Sequence, residues 1–281
     1  MKFMSISHLS GLRQASNSQL QGKFVRDWGL GTSESLNYMT KGFFVRRGCF
    51  SLNDVDWLLK SVKQGMASLQ KDLVHAKTFS VDGKPYAQTE RSTIQLEPGD
   101  PSLLRVVEPF SVYSRRFSSL LNDPRLVAPM FDITRSSIVS VFTDKFNFKS
   151  AFLGSAFDWH QDAPYWAHTG APLNRLCNVL LALDNSTESN GCLRVYTGSH
   201  TAGILPGKGG EGQLSSLFTD TEGLDTESIE PIPMRAGDVL FFSPYLVHGS
   251  RANHSRQPRR ALVATYQPGD GSRFHIGNPI L

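Results

Sequence analysis

The stretch FDWHQDAPYW, from Phe157 to Trp166, places a histidine and a carboxylate two residues apart, at His160 and Asp162. An imidazole nitrogen and a carboxylate oxygen both suit a divalent transition metal. On a strand, residues i and i+2 point to one face, so this spacing aims both groups at the same ion. The pair alone is weak: eight histidines and 25 acidic residues in 281 positions give about 0.7 such pairs by chance, the false-positive risk of any short motif. Two later residues supply context. His248 ends GDVLFFSPYLVH, which reads as a strand, and Arg259 lies eleven residues further on, where RRALVATYQP starts the last clear strand.

Two histidines and one carboxylate make the facial triad of non-haem Fe(II) oxygenases. Three protein ligands on one face leave three positions open, two for a chelating cosubstrate and one for O2. Arginine deep in a barrel can clamp a carboxylate with two parallel hydrogen bonds. That geometry suits the far carboxylate of 2-oxoglutarate. His160, Asp162 and His248 are therefore the candidate metal ligands and catalytic residues, and Arg259 is the candidate cosubstrate clamp.

These residues need a scaffold. The first 36 residues are polar and without period, and read as an N-terminal extension ahead of a single domain over 37–281. Gly42 to Phe50 reads as a short strand. Ser51 is a candidate N-cap, and Val55, Leu58, Leu59, Val62, Met66 and Leu69 recur at helical spacing, which predicts a helix from about Leu52 to Leu73. VEPFSVYSRRFSSLLN reads as a second helical region, and Asp123-Pro124 opens a short third helix. From Ser137 onward the runs SIVSVFTDKF, RLCNVLLALDN, GCLRVYTGSH, DVLFFSPYLVH and RALVATYQP are β-branched and aromatic, divided by Gly, Pro, Asn and Asp. They predict an antiparallel sandwich or barrel with helices on one side, a mainly β fold. The connection from Gly203 to Pro233, with PGKGGEGQ and an acidic run, reads either as a lid or as a solvated disordered loop.

Composition narrows the class. Net charge is +4, with 19% charged residues, and no dense basic face is evident, which argues against a nucleic-acid partner. Cys49, Cys177 and Cys192 form no CxxC pair, so neither a disulfide framework nor a cysteine zinc site is expected. No apolar run is long enough for a signal peptide or a membrane span. These features predict a soluble chain of a reducing, cytoplasmic compartment.

Four segments, in order, resemble the phytanoyl-CoA dioxygenase (PhyH) superfamily of Fe(II)/2-oxoglutarate-dependent dioxygenases, in its ectoine-hydroxylase-like branch. They are WHQD, NGCLRVYTGSH, RAGDVLFFSPYLVHGS and NHSRQPRRAL, and YMTKGFFVRRGCFSLNDVDWL resembles the family's opening strand and helix. The resemblance runs from about Asn37 to Gln267. It implies a double-stranded β-helix, or jelly-roll, core, with iron on His160, Asp162 and His248 and 2-oxoglutarate on Arg259. Arg260 would turn the other way by strand alternation. The segment TDKFNFK falls where the family often keeps a polar cosubstrate contact, which makes Thr143, Lys145 and Asn147 candidates. A carboxylate at 162, where related halogenases carry a small residue, implies hydroxylation, desaturation, ring formation or cleavage of a specialised metabolite. Zwitterionic or mycosporine-like amino acids, terpenoids or polyketides, and acyl-CoA are the admissible substrates. A non-enzymatic jelly roll that senses a metal or ligand is the alternative. Trp159, Tyr165, Trp166 and Phe242 are candidate substrate-wall aromatics, or equally core packing.

Overall fold

The structure, a computed structural model, describes residues 28–269. Helix α1 spans Thr32–Lys41, strand β1 Phe43–Arg46 and helix α2 Leu52–Leu73. Helix α1 crosses the expected boundary at residue 36, and Trp28, Leu30 and Tyr38 pack against the core. The rest of the expected extension, residues 1–27, lies outside the described residues. Helix α2 has the predicted bounds for a local reason. Ser51 Oγ accepts from the Asp54 amide and the Asp54 carboxylate accepts from the Ser51 amide, a reciprocal cap. Its stripe Val55, Leu58, Val62 and Leu69 is buried, each residue stabilising by roughly 1.5–3 kcal/mol on transfer from water.

Four strands follow that the sequence reading did not anticipate: β2 (Lys77–Val81), β3 (Lys84–Gln88), β4 (Thr93–Glu97) and β5 (Asp100–Glu108). The β2–β3 turn is Asp82-Gly83, with φ of 50° and 75°. Positive φ at both central residues is the hairpin turn that favours Asp-Gly. The expected helical region over VEPFSVYSRRFSSLLN is shorter than predicted. Val107 and Glu108 finish β5, and helix α3 covers only Arg115–Leu120. Helix α4 (Pro124–Ile133) starts at Asp123-Pro124 as expected, with Asp123 capping the Arg125 amide.

The β-rich half contains β6 (Val139–Lys149), β7 (Phe157–His160), the short helix α5 (Ala163–Trp166), β8 (Cys177–Ala182), β9 (Leu193–Tyr196), β10 (Ile229–Ile232), β11 (Val239–Phe242), β12 (His248–Ser250) and β13 (Arg259–Pro268). Pairing is antiparallel throughout. One sheet runs β1-β11-β8-β13-β6-β5-β4-β3-β2, the other β10-β9-β12-β7. Alternation along the large sheet divides two cores. Val179, Leu181, Phe241 and Leu262 join helix α2 in one, while Leu180, Phe242, Ala261 and Val263 meet Leu193 and Val195 of the small sheet in the other. This is a double-stranded β-helix sandwich with helices on its outer face. DVLFFSPYLVH is two strands, not one. The turn at Ser243–Leu246 carries the chain from β11 in the large sheet to β12 in the small one. In NGCLRVYTGSH, Gly191 has φ +73°, and a Cβ there would lie 2.2 Å from the Arg251 carbonyl oxygen. Only glycine fits that approach.

The long connection after Gly203 is ordered and ends in β10. Gln161 ties its start, donating to the Gly203 carbonyl and accepting from the Leu205 amide. Asp82 ties its middle, accepting from the Gln213 and Leu214 amides. Phe218 bridges to His160, and the Thr219 amide donates to the Trp159 carbonyl. Of the two readings of this segment, the solvated disordered loop does not hold.

Candidate metal centre

His160 closes β7 and His248 opens β12, and the two are direct cross-strand partners. Their rings stand 4.2 Å apart, centroid to centroid. Asp162 is not on a strand, as the i, i+2 argument assumed. The chain leaves β7 after His160 and Asp162 adopts helical angles, its amide and that of Ala163 both donating to the Pro244 carbonyl. The turn swings the carboxylate between the imidazoles. Asp162 Oδ2 lies 3.7 Å from His248 Nε2 and Oδ1 lies 3.9 Å from His160 Nε2. One ligand atom from each residue falls within 4.8 Å of the others.

The ligand atoms are presented in the right form. His160 Nδ1 faces the Asp158 carbonyl at 2.7 Å, and His248 Nδ1 faces that of Leu246 at 2.9 Å. A carbonyl only accepts, so each Nδ1 carries the proton and each Nε2 keeps its lone pair for a metal. Burial, then the neighbouring His248, pushes His160 down to about 3, and burial also lowers His248. Both are neutral at physiological pH. Burial alone would raise Asp162, but the Lys145 ammonium, chief among the opposing causes, and the Asn178 hydrogen bond help hold the carboxyl below its ordinary value. Asn178 Nδ2 donates to Asp162 Oδ2 at 2.7 Å, and Thr265 Oγ1 donates to Asn178 Oδ1 at 2.6 Å. Two neutral imidazoles and one oriented carboxylate suit a divalent iron.

These residues stand at one end of a cavity of about 700 Å³ between the sheets. Arg259, Ala261 and Val263 share one face of β13, and Arg259 lines the cavity at 5% exposure. Burial lowers it to about 10, so it stays cationic, and its Nε has no hydrogen-bond partner. An unpaired buried guanidinium nitrogen fits a carboxylate such as that of 2-oxoglutarate. Arg260 turns outward into a two-bond pair with Asp184. Ser250 also lines the cavity, with Lys149 Nζ donating to its Oγ at 2.8 Å, which leaves the Ser250 hydroxyl proton free to point at an anion.

The other predicted residues divide. Lys145 and Asn147 line the cavity, with Lys145 Nζ 4.0 Å from Asp162 Oδ1 and the Asn147 Oδ1 unpaired. Thr143 does not line it: its hydroxyl donates to Glu108, which does. Tyr165, Trp166 and Phe242 line the cavity. Trp159 does not: its ring stands edge-on to Tyr196 at 4.7 Å with the Arg194 guanidinium 5.5 Å over it. Sequence reasoning missed Lys84, Tyr86, Gln95, Arg105 and Glu108, the cavity wall supplied by β3, β4 and β5. The flanking signal was the Asp82-Gly83 turn between alternating strands.

Residues 38–261 match the family model for phytanoyl-CoA dioxygenase (PhyH). A methylphosphonate hydroxylase of Gimesia maris is 37% identical over 127 residues, 45% of this chain and 44% of that protein. The chain thus matches under half the length of that relative. An L-proline trans-4-hydroxylase of Streptomyces griseoviridis is 29% identical over 212 residues, 69% of this chain and 78% of the other. Among solved structures, EctD from S. alaskensis, with 2-oxoglutarate and 5-hydroxyectoine, superposes with a TM-score of 0.64 at 23% identity, covering 85% of this chain and 76% of that one, a likeness of fold. With a His-Asp-His cluster at the focus of that fold, the chain belongs to the phytanoyl-CoA dioxygenase family of Fe(II)/2-oxoglutarate-dependent dioxygenases.

Proposed function

We propose that the chain oxidises a C–H bond of a small polar metabolite, with His160, Asp162 and His248 holding Fe(II) and Arg259 holding 2-oxoglutarate. The observation that carries this reading is the convergence of three ligand atoms within 4.8 Å in a cavity that also holds a buried, incompletely bonded arginine. When bound, the iron and 2-oxoglutarate together turn O2 into the oxidant, and succinate and CO2 leave. The protein's own contributions are positional. Cross-strand pairing of His160 and His248 sets the imidazoles, Asn178 sets the carboxylate, and Arg259 with Ser250 receives the far carboxylate of the cosubstrate. Lys145 and Asn147 flank the same space. Tyr165, Trp166 and Phe242 exclude water, as does the 203–233 connection through Leu214 and Phe218. Two relatives are named for methylphosphonate and L-proline, which supports a compact polar substrate over a long acyl chain.

The setting is read as cytoplasmic, supported by three free, buried cysteines. Among the described residues no helix is long and apolar enough to cross a membrane. The test is a substrate panel on anaerobically loaded Fe(II) enzyme, following succinate and product mass together. Product gaining one oxygen means hydroxylation, and loss of two hydrogens means desaturation. Iron binding with no succinate under any substrate would make the protein a metal-binding jelly roll instead.

A further inference from the structure

The cavity extends from the metal ligands to a wall built by the β2–β3 hairpin and β5, and that wall carries two cations with no role in holding iron or cosubstrate. Lys84 begins β3 directly after the Asp82-Gly83 turn, and Arg105 lies on β5; both line the cavity. Each is seated on an aromatic residue next to the metal strand. Lys84 Nζ stands 4.3 Å from the Phe218 ring, whose backbone bridges to His160. The Arg105 guanidinium stands 3.7 Å over Phe157, three residues before His160 on β7.

Arg105 is 7% exposed and bonded only to neutral oxygens, Gln95 Oε1 at 3.2 Å and the Ala156 carbonyl at 2.6 Å. Its Nε is buried without a partner. Among the described residues no carboxylate oxygen lies within 4.0 Å of Lys84 or Arg105. The nearby acids are otherwise engaged or further off. Asp82 is held by the Gln213 and Leu214 amides; buried Glu97 accepts from the Ser155 amide through Oε2 and attracts Arg105 from beyond contact distance. Asp158 faces the cavity and attracts both cations. Burying a guanidinium this deeply without a contact anion is costly, and here a donor is left unfilled beside the cavity. The charge of the whole cavity agrees. Its lining carries Lys84, Arg105, Lys145 and Arg259 against Glu108, Asp158 and Asp162.

We infer that Lys84 and Arg105 form an oxyanion subsite, which takes the phosphonate or carboxylate group of the substrate and turns its C–H bond towards the metal ligands. This rests on the oxygenase reading of the cavity. Arginine offers a fork for two oxygens and lysine a point charge, a pairing suited to either oxyanion.

The test is calorimetric titration of the anaerobic Fe(II)–2-oxoglutarate holoenzyme with methylphosphonate and with L-proline. Counterparts without the oxyanion, dimethyl methylphosphonate and N-acetyl-L-prolinamide, both uncharged, serve as controls, and the visible charge-transfer absorption of the iron–cosubstrate complex reports on the metal end independently. One oxyanion probe is expected to bind beside 2-oxoglutarate, at least about tenfold more tightly than its control. Lys84→Met should weaken it about tenfold and Arg105→Gln about a hundredfold, with the absorption and the 2-oxoglutarate affinity unchanged. Preference for methylphosphonate assigns a phosphonate, and preference for L-proline an amino-acid carboxylate. If Arg105→Gln fails to fold, Lys84→Met alone decides. The subsite is refuted if neither probe binds while the absorption forms, if Lys84→Met binds like wild type, or if the probe displaces 2-oxoglutarate. A wild type that never forms the absorption refutes the oxygenase reading and this inference with it.

Discussion

The two ends of the cavity are held in different ways. At the metal end, position comes from strand register: His160 opposes His248, and β13 lies beside β8, where Thr265 opposes the Asn178 that orients Asp162. At the hairpin wall, position comes from a two-residue turn and a loop strapped to it through Asp82. Register in this sandwich is strongly specified, because slipping by one residue would swap the side chains of the two faces and mispack both cores. A hairpin at the edge of a sheet tolerates change in sequence and shape. The contrast teaches where one family can keep a chemistry and vary a substrate.

The largest effect should come from breaking the metal end. Asp162→Ala removes the only carboxylate of the cluster, and 2-oxoglutarate-dependent succinate formation should fall by about a thousandfold or more; full turnover would overturn the ligand assignment. Arg259→Ala should raise the 2-oxoglutarate concentration for half-saturation by about a hundredfold while iron affinity holds, as measured by titration of each. Asn178→Ala leaves every ligand in place but frees the Asp162 carboxylate, so iron affinity should drop by about ten- to a hundredfold. An unchanged affinity would mean that the turn after β7 positions Asp162 unaided.

Two smaller effects sharpen the boundary between the ends. Lys149 is 1% exposed, and burial, with Arg259 and Arg105 nearby, lowers it from 10.5 to about 6. Between those values the unfolded chain binds a proton that the folded one does not, so this residue makes stability rise with pH across that window. In Lys149→Met the rise should be shallower, as read from melting temperatures near neutral and at mildly alkaline pH; equal slopes would show that Lys149 is charged in the fold. Lys84→Met, on the hairpin, should leave iron affinity within about twofold, because Lys84 meets the metal end only through the Phe218 ring and not through a ligand side chain. A larger loss would show that the two ends are coupled.

Much of the metal end was legible because its residues sit in short, punctuated segments. WHQD, GDV…VHGS and the Arg259 segment each carry their meaning within a few residues, and the capping of α2 by Ser51 and Asp54 is equally local. Trp159, open to a substrate-wall or a packing role from the sequence, stands edge-on to Tyr196, and the run ending at His248 is two strands because the Ser243–Leu246 turn carries it between sheets. The hairpin wall carried no motif. Lys84 and Arg105 are 21 positions apart and become neighbours through the pairing of β3, β4 and β5.

From the chain alone followed the candidate ligand types and their order, the long helix and the β-rich second half, because these depend on side-chain chemistry and on periods of two and 3.6 residues. Tertiary structure decided the rest: that Asp162 reaches the histidines from a turn, that Asn178 steadies it, that the 203–233 connection is ordered, and that two distant cations face one cavity. Those are outcomes of strand pairing and loop closure between remote segments, whose register depends on burying both faces of a sheet at once.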